Sequence, residues 1–143
     1  KDAFDLEKWA KFFAINELMG NRHSLRWHNL RFYFNPKTER IEPIGFDNGS
    51  TLLKDAELNL FSKELEPFHK RMTNDTVYFN MVKAEMTRIS QRDYLETFFL
   101  QNESKIDTLE SLLKKEAPKY QFKEKDFYDS QERVLRQLQA ATD

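Results

Sequence analysis

Apolar residues recur at helical spacing near the start of the chain. Leu6, Trp9, Phe13 and Leu18 mark one face, and Ala10, Phe12 and Ala14 widen it. The pattern predicts a well-buried helix over 5–19, with Asp5 as its N-cap and Gly20 just past its end. Residues 21–29 are polar and basic with no period. Residues 30–34 then read as a strand with Phe32 and Phe34 on one face, 35–40 as a turn, and 41–46 as a second strand. The two strands make a β-hairpin, followed by a loop over 47–50.

From about residue 59 the period becomes helical. Asn74 or Asp75 can cap a helix running to about 89, with Val77, Met81, Val82 and Met86 among its apolar positions. Residues 90–93 resemble a capping box with Asp in place of Glu or Gln. The helix behind it carries Tyr94, Leu95, Phe98 and Phe99. It continues or restarts through Ile106, Leu109, Leu112 and Leu113 until Pro118. A last helix over 125–141 carries Phe127, Val134, Leu135 and Leu138. These apolar positions read as core, and the 122–138 stripe alternatively as a docking face for a partner. His69, beside Lys70 and Arg71, reads as a surface residue. The fold class is mainly α with one small β-hairpin, an α+β arrangement.

Composition narrows the function. The 143 residues suit one domain, or one lobe of a larger one. Lys and Arg total 23 against 24 Asp and Glu, a balance that argues against a nucleic-acid partner. With 13 Phe there is ample material for a core. The absence of cysteine removes disulfides, thiolate metal sites and Cys nucleophiles. No apolar run approaches the ~18 residues of a membrane span. The chain opens in mid-pattern without a signal-like segment, so it reads as a soluble piece of a longer protein.

Candidate chemistry is confined to 20–50. A hairpin brings the residues before its first strand next to those after its second, so Asn29 and Asp47 can meet. Their oxygens are hard donors suited to Mg²⁺ that shares its remaining sites with water and phosphate. Gly49 would supply the sharp turn after Asp47. The bland alternatives are a turn-capping Asn and an Asx-turn Asp. His23 could accept a proton near neutral pH and is the obvious candidate base in the loop. Alternatively, His23 and His28 orient the loop or bind an anion. Arg22, Arg26 and Arg31 add a positive field that favours phosphate, and Trp27 offers a stacking surface. No His-x-x-x-His or His-Glu-x-x-His spacing supports zinc.

Phe12-Phe13-Ala14-Ile15-Asn16-Glu17-Leu18, then Asn29 with Arg31-Phe32-Tyr33-Phe34-Asn35-Pro36, then Ile41-Glu42-Pro43-Ile44-Gly45-Phe46-Asp47 resemble the CotH family. These are spore-coat and secreted bacterial proteins with an atypical protein-kinase-like fold, and the similarity is best over about 4–51. The resemblance implies the C-terminal lobe of such a kinase, with 1–51 carrying the site and 52–143 a helical body. It implies transfer of the γ-phosphoryl group of ATP to a protein hydroxyl. Asn29 and Asp47 would hold Mg²⁺, Arg22 and Arg26 would face the nucleotide, and His23 would be the base. It further implies a missing N-terminal lobe, a substrate protein of the coat or surface, and a place in the spore coat, at the cell surface or outside the cell. Two departures stand against full activity. Ser24 occupies the position, five residues before Asn29, where active members carry a catalytic Asp. No Gly-rich phosphate loop precedes the first helix. Alone, the chain is expected to be inactive. The alternative function is a non-catalytic, pseudokinase-like binding or structural module.

Overall fold

The computed structural model describes residues 2–49 and 66–140. Helix α1 (Leu6–Leu18) leads through two 3₁₀ turns (His23–Leu25 and Trp27–Asn29) into strands β1 (Arg31–Asn35) and β2 (Arg40–Ile44). Helices α2 (Pro67–Thr73), α3 (Thr76–Ile89), α4 (Arg92–Glu116) and α5 (Glu124–Ala140) follow. The described chain is thus mainly helical with one two-stranded antiparallel sheet. The start of the helical pattern at 59 and the loop position Ser50 lie outside the described residues.

Both ends of α1 follow from its sequence. The Asp5 carboxylate accepts the Lys8 N–H at 3.1 Å, satisfying one free donor of the first turn. At the other end Gly20 adopts φ 57. Gly20 N–H then reaches the Glu17 carbonyl at 3.1 Å and Asn21 N–H the Asn16 carbonyl at 2.9 Å. This paired closure satisfies two helix-end carbonyls and needs a left-handed residue, which glycine adopts without a Cβ clash. The helix lies against α3 and α5. Trp9, Ala10, Phe13 and Ala14 meet Tyr78, Val82, Met86 and Ile89 of α3 and Val134 of α5 in the buried core.

The hairpin pairs Arg31 with Ile44 through Asn35 with Arg40. A third segment extends it, because Phe4 bridges Ile41 in parallel. Ala3 accepts the Ile41 N–H at 2.7 Å, and Asp5 N–H donates back to Ile41 at 3.0 Å. The Trp9 indole N–H reaches the same Ile41 carbonyl at 3.0 Å. Phe32 packs on Trp9 and on Phe68 of α2, with ring centroids 5.4 and 5.7 Å apart. Phe34, two residues on, overhangs the body and is exposed.

Four expectations change. Ser90 does not cap α4: its helical backbone extends α3, and its hydroxyl donates to the Thr87 carbonyl at 2.8 Å, leaving Gln91 as N-cap. Pro67 opens the first turn of α2, where its missing N–H costs nothing. His69 is buried rather than on the surface, and its ring Nε2 lies 2.9 Å from the Leu25 carbonyl. Helix α4 runs unbroken for 25 residues, roughly 38 Å at 1.5 Å per residue, and its buried residues lie in its first third. Leu95 and Phe99 are buried, whereas Phe98, Leu109, Leu112 and Leu113 are exposed, as are Val77 and Met81 of α3 and Leu135 of α5, so these are not core. The rest of the 122–138 stripe is covered from within: Phe122 and Phe127 stack around Phe99, and Val134 and Leu138 join the main core. Among the described residues no helix is long and apolar enough to cross a membrane.

Candidate functional site

The loop between α1 and the hairpin is held by amides. Asn16 sits on the buried face of α1, three residues after Phe13, and donates to the Phe12 carbonyl at 2.8 Å. Its Oδ1 accepts from Asn21 at 3.0 Å and, over a short contact, from the Ser24 hydroxyl. Asn21 also donates to Asn48 Oδ1 at 3.3 Å, which ties the end of α1 to the loop after β2. Ser24 is buried and directed inward, its hydroxyl also 3.0 Å from the Asn21 carbonyl. It is a structural hydroxyl that fixes the first 3₁₀ turn.

On this frame the loop presents His23. The Asn29 side-chain amide donates to the His23 carbonyl at 2.9 Å, and Asn29 itself is buried. The His23 ring Nε2 lies 2.8 Å from Asp47 Oδ2, with both side chains more than a third exposed. Asn29 and Asp47, 18 positions apart, therefore converge on one histidine, Asn29 through its backbone and Asp47 through its ring. Both bland readings are partly visible. Asn29 does brace a turn, whereas the bond that Asp47 takes comes from the imidazole. Asp47 itself adopts φ 53, so the left-handed turn falls on the aspartate and not on Gly49. Asp is among the few residues that tolerate that conformation.

The arginines do not gather at this point. Arg26 reaches away to Glu66, at the N-terminus of α2, with Nη1 to Oε1 at 2.9 Å. Arg31 lies over the Phe46 ring at 4.1 Å and donates to the His28 carbonyl at 2.8 Å. Arg22 is half-buried at the entry to the first 3₁₀ turn. His28 stands edge-on to His23, ring centroids 5.9 Å apart. Trp27 is exposed, its ring 6.0 Å from Phe68.

In kind, the donors fit a magnesium ion: one carboxylate and one amide, both hard oxygen ligands, with space in the coordination shell for phosphate and water. Among the described residues no three His, Asp or Glu cluster as a self-sufficient metal site. Any ion here would need ligand oxygens from a nucleotide, and it would have to take Asp47 through its other carboxylate oxygen for Oδ2 to stay with His23.

Sequence reasoning passed over the polar frame of Asn16, Asn21 and Ser24 and the buried Glu17. The signal was present, because Asn16 and Glu17 interrupt the apolar stripe three and four residues after Phe13. A polar side chain on a buried face must find a partner, and those partners set the loop.

No family model matches this chain, and neither does any curated protein or solved structure.

Proposed function

We propose that the chain is the helical C-terminal lobe of a CotH-like atypical kinase, which transfers the γ-phosphoryl group of ATP to a protein hydroxyl and is inactive without its N-terminal lobe. The observation that carries the reading is the convergence of Asn29 and Asp47 on His23 at the base of the hairpin. The order of helix, braced loop, hairpin and post-strand Asp supports the reading, because kinases use a catalytic loop, a metal-holding Asn and then a metal-holding Asp. In that reading Asn29 and Asp47 would hold Mg²⁺, which would neutralise phosphate charge. With its Nε2–H given to Asp47, His23 would take the hydroxyl proton at Nδ1, and the carboxylate would stabilise the imidazolium that results. Arg22 would lie on the phosphate side, and Arg26 would have to leave Glu66 to join it. The missing lobe supplies the phosphate loop, and a coat or surface protein supplies the acceptor hydroxyl.

The test is phosphate transfer from labelled ATP in the longer protein that this reading requires, with Mg²⁺ present. Asp47→Asn is the informative variant, because asparagine tolerates the left-handed backbone that alanine would strain. It should abolish labelling, and His23→Gln should lower it about 10²–10⁴-fold. Undiminished labelling in Asp47→Asn removes this site from the reaction.

One observation favours the second reading, a pseudokinase-like binding module of a bacterial coat or surface. Ser24 replaces the catalytic carboxylate and is buried with its hydroxyl engaged. In that case nucleotide binds, or fails to bind, with no transfer in either the parent protein or His23→Gln.

A further inference from the structure

Strand β1 pairs with β2, and among the described residues nothing pairs with its other edge. The direction of its free main-chain groups follows from the far side of the hairpin. Ile41 donates its N–H to the Ala3 carbonyl and accepts the Asp5 N–H, so both its groups point away from β1. Phe34 faces Ile41, and Phe32 faces Pro43 two positions along, so both are pairs that exchange no ladder bonds. Pro43 suits such a position, because the ladder needs no N–H from it. Phe32 and Phe34 therefore turn their own N–H and carbonyl groups outward, on either side of Tyr33. The edge also lacks the usual guards. Arg31–Asn35 holds no lysine and no proline, and its centre is a run of aromatic residues, all exposed. Helix α1 lies against β2, the inner strand.

This edge complements itself. Laid antiparallel about a two-fold axis at Tyr33, two copies of β1 set Phe32 of each against Phe34 of the other. Each such pair exchanges both main-chain bonds, and its rings meet on one face as a cross-strand aromatic pair. Arg31, the one charged residue of the strand, falls opposite Asn35 of the second copy, so no like charges face each other. A net charge of -1 per chain adds little repulsion between copies. We propose that the protein self-associates through β1, joining two hairpins into one antiparallel sheet with the strand order β2-β1-β1-β2. A five-residue edge buries less than the ~1,200 Å² of stable complexes, so the association is weak and reversible. It does not draw on phosphotransfer: the labelling assay reports on His23 and Asp47, and the experiment below on Phe34 and Tyr33.

Sedimentation equilibrium of the 143-residue chain, from about 10 μM to about 1 mM, should show an average mass that rises with concentration above 17.2 kDa. Phe34→Pro removes an outward N–H that the ladder with β2 does not use, so the hairpin keeps its bonds and the chain should stay monomeric throughout. Tyr33→Lys and Tyr33→Glu each set like charges against each other across the axis and should each be monomeric. Their equimolar mixture should restore association, because opposite charges then meet. That rescue requires Tyr33 to face its own copy, and it decides the matter should Phe34→Pro unfold. A parent that stays monomeric at about 1 mM overturns the proposal and leaves the edge to a strand from another chain. So does association in folded Phe34→Pro equal to the parent's, or a mixture no more associated than its two components.

Discussion

Glu17 is fully buried on α1, and neither of its carboxylate oxygens has a hydrogen-bond partner. Burial pushes its carboxyl up to about 8, outweighing the attraction of Arg133, whose Nη1 is 3.8 Å away. Burial likewise lowers Arg133, so the pair is a desolvated contact and not a strong ion pair. Unfolded, this carboxyl ionises near 4.5. Between about 4.5 and about 8 the folded chain thus keeps a proton that the unfolded chain has lost, and stability falls as pH rises through that window. His69 acts in the opposite direction. Burial lowers its imidazole to about 4 from 6.5, so its contribution is lost as pH falls between those values. The two slopes oppose each other from 4.5 to 6.5, and above 6.5 Glu17 acts without that counterweight. Thermal melts should therefore show stability declining from pH 6.5 to 8, on the order of 1–2 kcal/mol. Glu17→Gln should flatten that decline and meet the parent near pH 4.5. A variant whose profile stays parallel to the parent over the whole range would mean that Glu17 is not the titrating group.

At the scale of elements, the joint between α3 and α4 depends on α5. Gln131 Nε2 donates to the Ile89 and Gln91 carbonyls, both at 2.7 Å, where α3 ends and α4 begins. Gln131→Leu keeps the volume and leaves these carbonyls without that donor, so it should cost about 1–3 kcal/mol. Urea unfolding would show a lower midpoint at unchanged slope. A change within about 0.5 kcal/mol, typical of surface substitutions, would show that the joint does not need this side chain. The joint also shows what the sequence could and could not tell. Helices α1, α3 and α5 were legible because each buries residues at helical spacing, α1 and α3 with local stops or starts such as Asp5, Gly20 and Asp75. The hairpin was legible because a turn-forming segment separates two short strand-like runs, although β1 itself stays largely exposed. Ser90 misled because a serine can end one helix as readily as begin the next. The tertiary position of Gln131 decided between them, and no local pattern encodes that. The exposed leucines of α4 misled for a related reason. Helical periodicity identifies a face, but only the length of the neighbouring helices determines whether anything covers it.

Across the whole molecule, the site is legible only as far as the hairpin. Chain geometry brings the residues flanking a hairpin together, so the approach of Asn29 and Asp47 could be read from their positions. Their common partner could not be, because the bonds to His23 depend on Asn16 and Asn21 fixing the loop from α1. Nor could the dispersal of the arginines, which follows from Glu66 and Phe46 arriving from other segments. One bond in that frame also bears on how the protein ages. Asn48 accepts from Asn21 through its amide oxygen and precedes Gly49, whose missing side chain leaves the backbone nitrogen open to cyclise onto the Asn48 amide. Asparagine is among the heat-labile residues. Loss of ammonia there would place a second carboxylate beside Asp47 and make a chain of net charge -1 more acidic. Ion exchange after warm, mildly alkaline storage should resolve an acidic species that Gly49→Ala, with open space around its added methyl group, suppresses. An equal yield of that species from Gly49→Ala would place the chemical clock elsewhere in the chain.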